Sequence, residues 1–346
     1  MIRRGERSEQ VADVQARLRA LGFEVADEPG SFGASTERAV RAFQERRQIL
    51  ADGVVGPQTW NELVEAGWRL GDRILYLRQP PLRGDDVATL QARLNALGFD
   101  AGREDGIFGL DTDRAVRAFQ KEYGVAEDGI FGPCALRALE GLRVDRPGLA
   151  AALREELRFA RNTIAELFVM LDPGHGGNDT GDVGPNGLRE ADVCWDVMRR
   201  AAQSLATLGA RVRFTRTEAE SPTPSERAQR ANELGADVFV SLHTTSQDDG
   251  GAERACAYYF RTSRAGRRLA EAVLAELSLL GSKDLRIAAR SYPQLKETRM
   301  PAVLIEPGCI KEPDDEKRLD DPGQRAALAA AIVEGLRRYC LGSPGS

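Results

Sequence analysis

The chain has 346 residues, of which 42% are hydrophobic and 29% charged, and its formal net charge is −5. That length exceeds one ordinary domain and predicts two or three. The mildly acidic balance, with basic residues dispersed among acidic ones, carries no nucleic-acid footprint, and no run of about 18 apolar residues is present to span a membrane.

The five cysteines, Cys134, Cys194, Cys256, Cys309 and Cys340, are odd in number and widely spaced. That is not the pattern of a disulfide framework, and it fits a reducing compartment. From Met1 the chain runs into a helical pattern without an apolar leader core. The chain as written therefore reads as cytoplasmic; a trimmed leader would make it extracellular.

An internal repeat comes first. Val14-Gln-Ala-Arg-Leu-Arg-Ala-Leu-Gly-Phe23 returns as Leu90-Gln-Ala-Arg-Leu-Asn-Ala-Leu-Gly-Phe99. Ala39-Val-Arg-Ala-Phe-Gln44 returns as Ala115-Val-Arg-Ala-Phe-Gln120, and Asp52-Gly-Val-Val-Gly-Pro57 as Asp128-Gly-Ile-Phe-Gly-Pro133. All three pairs share one shift of 76 positions (14 to 90, 39 to 115, 52 to 128), which marks a duplicated domain. Each copy reads as three helices. Val14, Leu18 and Leu21 keep helical spacing and Gly22 ends that helix, Val40 and Phe43 sit in the second, and Pro57 and Pro133 suit the first turn of a third. The L-G-F helix end, the Asp105-Gly-Ile-Phe-Gly109 turn, A-V-x-x-F-Q and D-G-x-x-G-P together resemble the peptidoglycan-binding domain of bacterial wall hydrolases. The first copy is looser at its first turn, Glu28-Pro-Gly-Ser-Phe-Gly33. The resemblance implies a three-helix module that recognises wall glycopeptide.

Residues 68–80 read as a link between the copies. A second linker over about 141–166 carries a Pro147-Gly148 break and one amphipathic helix from Leu149 to Leu167. Beyond it, strands are expected at Phe168–Leu171, Val212–Thr215, Val238–Leu242, Ala255–Phe260 and Ala302–Glu306. Helices are expected at Glu190–Leu208, Ser225–Leu234, Ala265–Leu280 and Gln324–Tyr339. This alternation predicts a largely parallel sheet covered by helices. The expected layout is multidomain: repeat 1 over 1–67, repeat 2 over 81–142, a linker helix within 143–166, and an α/β domain over 167–341.

The only two histidines lie in this last part. His175 is in Leu171-Asp-Pro-Gly-His-Gly-Gly177 and His243 ends Val238-Phe-Val-Ser-Leu-His243. Both follow an apolar run, so both should stand at the C-terminal edge of a sheet, where open α/β folds place ligands; paired imidazoles there point to a metal. Glu190, in Gly187-Leu-Arg-Glu190, is also explained as a helix N-terminal charge. Glu306 ends the buried-looking strand Ala302-Val-Leu-Ile-Glu306, where a lone carboxylate is costly unless paired or metal-bound. Two imidazoles and a carboxylate make the ligand set of a catalytic zinc with one open position, and a second carboxylate can take the proton from water.

The ordered motifs Asp172-Pro-Gly-His-Gly-Gly-Asn-Asp-Thr-Gly181, Gly187-Leu-Arg-Glu190, Thr215-Arg216, Arg227-x-x-x-Ala231-Asn232, Ser241-Leu-His243 and Met300-Pro-Ala-Val-Leu-Ile-Glu-Pro-Gly308 resemble the zinc-dependent N-acetylmuramoyl-L-alanine amidases of the amidase-3 family. The resemblance covers residues 167–341. It implies a Zn2+ ion held by His175, Glu190 and His243, Glu306 as the catalytic glutamate, and peptidoglycan or muropeptides as substrate. Asp172 and Asp179 read equally as orienters of ligands and as turn formers. Arg227 and Asn232 match family positions but also suit packing and capping, and Arg299 is a candidate substrate contact. Three positions expected at the site mouth depart from the family pattern: Thr245 for Asn, Cys309 for Phe and Glu312 for Asn. Two repeats ahead of an amidase-like domain without a leader also resemble a group of cytoplasmic actinobacterial relatives, regarded as regulators of peptidoglycan-precursor synthesis. That layout implies a cytoplasmic precursor-synthesis protein as partner.

Overall fold

The computed structural model describes residues 1–142, 149–159, 163–245, 254–281 and 284–342. The chain falls into two units, Met1–Leu153 and Arg154–Ser346. The expected Pro147-Gly148 break lies outside the described residues.

The first unit holds the two repeats, each with three helices: α1 (Glu9–Ala20), α2 (Ala34–Arg47) and α3 (Pro57–Glu65), then α4 (Asp85–Ala96), α5 (Leu110–Glu122) and α6 (Pro133–Glu140). Each repeat closes its own core, around Val14, Leu18, Val40 and Phe43 in the first and Leu90, Leu94, Val116 and Phe119 in the second. The repeated glutamines staple the turns. Gln44 Nε2 donates to Asp52 Oδ1, Val54 O and Thr59 Oγ1, and its Oε1 accepts from Gly53 N. Gln120 repeats this on Asp128, Ile130 and Gly129. Gly53 and Gly129 adopt φ of 75° and 73°, so the Asp-Gly pairs are the residues such turns require.

The expected link between the copies is partly core: Leu75 is fully buried in the second repeat and exchanges backbone hydrogen bonds with Phe131. The copies are also joined by Arg47, which reaches Glu62 on one side and Asp85 on the other. The single helix expected from Leu149 to Leu167 is shorter. Helix α7 covers Leu149–Arg158, and Ile164–Glu166 form a separate 3-10 turn.

The second unit is an α/β domain. Its elements run β1 (Phe168–Pro173), α8 (Glu190–Thr207), β2 (Arg211–Phe214), α9 (Pro224–Leu234), β3 (Val238–Leu242), β4 (Arg254–Tyr259), α10 (Arg264–Leu277), β5 (Asp284–Ala289), α11 (Pro293–Lys296), β6 (Ala302–Glu306), α12 (Pro313–Asp320) and α13 (Pro322–Leu341). The sheet order is β2-β1-β3-β6-β4-β5, parallel except where β4 meets β6. Side chains alternate between two cores. Val169, Leu171, Val240, Leu242 and Ile305 face α8, α10 and α13. Met170, Phe239, Tyr258 and Leu304 face α9 and α11. Continuing that period of two, Asp172, Ser241, His243 and Glu306 fall toward the α9 side of the C-terminal edge.

β5, α11 and α12 were not expected. β5 is an edge strand whose residues are all partly or fully exposed, its alternating Leu285 and Ile287 included. The α12 sequence Pro-Asp-Asp-Glu-Lys-Arg-Leu-Asp contains one apolar side chain beyond its proline, and it is held inward by buried Asp315 and Glu316. No helix among the described residues is long and apolar enough to cross a membrane.

Helices α10 and α13 approach closely at Gly335, where an added Cβ would stand 2.6 Å from Val273 Cα. Gly335→Ala should therefore destabilise this unit by roughly 1–3 kcal/mol through overpacking. Thermal denaturation checks this; an unchanged midpoint refutes it.

Candidate metal centre

The site is assembled at the ends of β1, β3 and β6. β1 ends at Pro173, and the next residues reach across to β3, with Gly174 N donating to Leu242 O at 2.9 Å. Gly174 cannot carry a side chain, since a Cβ would lie 2.7 Å from His243 Cε1. His175 follows with φ of 55°, a left-handed conformation uncommon outside glycine. It is held there by Arg227 Nη2, which donates to His175 O at 2.7 Å. Arg227 also reaches Pro173 O and pairs with Asp172 Oδ1 at 2.9 Å. Arg216 donates to Pro173 O and Gly174 O. Asp172 is fully buried and accepts further bonds from the hydroxyls of Thr215 and Ser241. Burial alone would raise its pKa, but the Arg227 charge and those hydroxyls hold it below the ordinary carboxylate value. Asp172 and Arg227 thus anchor the histidine loop.

Asp179 fills both roles weighed for it. One oxygen meets His175 Nδ1 at 2.9 Å and the other accepts from Gly181 N at 3.0 Å. The first contact turns His175 Nε2 toward Glu190, 3.3 Å from Oε1. His243 Nδ1 stands 3.2 Å from the same oxygen. Glu190, the first residue of α8, is 2% exposed, and it is fixed by Thr244 N on Oε1 and Asp182 N on Oε2. One atom from each of His175, Glu190 and His243 lies within 4.8 Å of the others. Burial lowers the His175 pKa, but hydrogen bonds and charge from Glu190, then Asp179, more than offset it and push it up to about 9. Burial opposes ionisation of Glu190, and the two imidazoles outweigh it, holding the carboxyl well below the ordinary range.

Glu306 ends β6, beside β3, where His243 N donates to Ile305 O. Tyr258 of β4 donates its hydroxyl to Glu306 Oε2 at 3.2 Å. Two positions expected at the mouth are instead inside: Thr245 is 2% and Cys309 3% exposed. Glu312 is the N-terminal flank of α12. Asn232 donates to Glu297 O and accepts from Arg299 N, tying α9 to the turn before β6, while Arg299 itself is exposed.

Sequence reasoning gave no role to Arg216, Tyr258, Asp315 or Glu316. Glu316 accepts from Asn186 N, Asn186 Nδ2 and Leu188 N, fixing the turn that leads into Glu190. Asp315 receives Cys309 N and so fixes the turn after Glu306. In sequence the two acids look like a solvated helix face, and Tyr258 like core.

Known proteins are similar in the same parts. The N-acetylmuramoyl-L-alanine amidase family model matches residues 169–338, and the model described as a putative peptidoglycan binding domain matches 7–63 and 83–139. The N-acetylmuramoyl-L-alanine amidase CwlM of Mycobacterium tuberculosis is 39% identical, over 99% of this chain and 90% of that protein. The chain belongs to the N-acetylmuramoyl-L-alanine amidase family. The chain is also 29% identical to the N-acetylmuramoyl-L-alanine amidase LytC of Bacillus subtilis, over 56% of its own length and 39% of LytC. An N-acetylmuramoyl-L-alanine amidase of Clostridium difficile 630, of known structure, is 30% identical, with a TM-score of 0.48 over 53% of this chain and 100% of that one.

The His175 shift fixes a pH dependence for the protein without bound metal. Its folded pKa of about 9 exceeds the ordinary 6.5. The stabilisation is therefore complete below pH 6.5 and is lost as pH rises through about 9. Chelator-treated protein should show a falling melting temperature across that window; a flat profile, or a rising one, contradicts the assignment.

Proposed function

We propose that this protein is a zinc-dependent hydrolase of the amide joining the lactyl group of N-acetylmuramic acid to L-alanine, in peptidoglycan or its fragments. The observation that carries the reading is the convergence of His175 Nε2 and His243 Nδ1 on one oxygen of the buried Glu190. Ligands about 2.0–2.1 Å from a tetrahedral zinc stand roughly 3.4 Å apart, and the two contacts are 3.3 and 3.2 Å. The donor set fits, and His175, Glu190 and His243 would hold the ion. Bound zinc supplies Lewis acidity, polarising the scissile carbonyl and activating water.

The chain's own residues supply orientation and proton handling. Asp179 fixes which nitrogen His175 presents, and the backbone N–H groups of Thr244 and Asp182 fix the Glu190 carboxylate. Glu306 takes a proton from the attacking water and passes it to the departing amide nitrogen, so the alanine leaves as a neutral amine. The repeats hold the polymer, with module limits at 1–67 and 81–142, a linker over 143–166 and the catalytic domain over 167–341.

Purified protein should carry about one zinc per chain by elemental analysis and release peptides with N-terminal L-alanine from muropeptides. Glu306→Gln should keep the zinc and lose roughly 10²–10⁴ in kcat. Zinc-loaded wild type that leaves muropeptides uncut sinks the proposal.

A second reading is a non-catalytic regulator of precursor synthesis, in which the amidase fold and the repeats serve as binding surfaces. It is favoured by Glu312, which replaces the family's asparagine and, unlike the buried Thr245 and Cys309, is partly exposed. Its mark would be a stable complex with a cytoplasmic precursor-synthesis protein, formed equally well by Glu306→Gln.

A further inference from the structure

We propose that Tyr258 is a positioning residue for Glu306, fixing the orientation in which that carboxylate handles the proton; the inference rests on the amidase reading above. β4 runs antiparallel to β6 with Cys256 opposite Glu306. Tyr258, two residues on, is therefore the diagonal neighbour on the same face, within reach of a long aromatic side chain. Its hydroxyl donates to Glu306 Oε2 at 3.2 Å, and the tyrosine is 3% exposed.

The ring is itself held. Tyr292 packs edge-on at 5.8 Å, and the Arg290 guanidinium lies over the ring, 5.3 Å from its centroid. A clamped ring fixes where the hydroxyl oxygen sits, and of the two side chains it bonds, Glu306 and Cys256, an ionised carboxylate is the stronger acceptor for its proton. Burial, and then the charge of Glu306, push the phenol pKa well above its ordinary value. Tyr258 therefore stays a donor at every working pH. Proton transfer needs the base within hydrogen-bond reach of the proton it abstracts, and a glutamate at a strand end has rotamers that would take it elsewhere. Tyr258 selects one of them without touching substrate.

Tyr258→Phe keeps the ring and removes only the donor. In the full-length, zinc-loaded protein acting on a soluble muropeptide, kcat should fall about 10–100-fold with KM unchanged. The acidic limb of kcat/KM should move to higher pH, because a carboxylate that loses a donor is a weaker acid. Zinc content and melting temperature should match wild type. A second readout is independent of turnover: the carboxyl ¹³C resonance of Glu306, assigned by its loss in Glu306→Gln, should shift in Tyr258→Phe. An active wild type whose Tyr258→Phe form keeps kcat, pH profile and resonance overturns this inference alone. A loss of kcat that only parallels lost zinc or lost stability also overturns it. A zinc-loaded wild type without activity overturns it together with the amidase reading.

Discussion

The buried pair of Asp172 and Arg227 is the contact on which the rest of the second unit's site depends. A fully buried carboxylate is tolerated only with compensation, and here a guanidinium and two hydroxyls provide it. The same guanidinium then spends its other N–H groups on the carbonyls of Pro173 and His175. A turn that would otherwise relax out of the left-handed conformation at His175 is held by charge-assisted bonds from α9. Such pairs are weak net stabilisers but costly to break, since removing one partner leaves a buried charge and costs roughly 3–5 kcal/mol. The pair's value lies in placing the histidine ring, and both α9 and the end of β1 are organised around it.

Placement at the other end of the site follows the same logic with different partners. Glu316 grips the turn before Glu190, and Asp315 grips the turn after Glu306, both from the short helix α12. Lys311 and Asp182 join the two turns by an ion pair at 2.8 Å. The site's loops are therefore tied to one another by polar side chains, while the apolar cores set only the sheet beneath. Helix α7 is tied elsewhere: Glu155 accepts from Ser263, which follows β4. Because β4 runs antiparallel to β6, Ser263 belongs to the edge of the sheet opposite Glu306, and that end of α7 is held away from Glu306.

In the repeats the same device appears in neutral form. Gln15 and Gln91 bond the first turn of their copies, and Gln44 and Gln120 bond the second. Each glutamine satisfies buried backbone groups that have no helix or strand partner, as a closed loop requires. The duplicated sequence keeps these glutamines together with the apolar positions, so polar staples and core are retained as one unit.

The duplication, the three-helix repeats and the α/β domain with its mostly parallel sheet are legible in the amino-acid order alone, as is a short set of residues whose chemistry suits a metal. These are legible because they rest on local periodicity, on a fixed 76-residue shift and on two histidines placed after apolar runs. What depends on partners distant in the chain emerges only on folding. Glu190 reads as an ordinary helix-start charge until α8 brings it between imidazoles from β1 and β3. Tyr258 reads as core until the antiparallel register of β4 sets it against Glu306. Asp315 and Glu316 read as a solvated face because hydrophobic periodicity says nothing of a helix anchored by buried carboxylates. Thr245 and Cys309 were expected at an opening and lie inside, since exposure is a property of the assembled surface and not of the position in a motif.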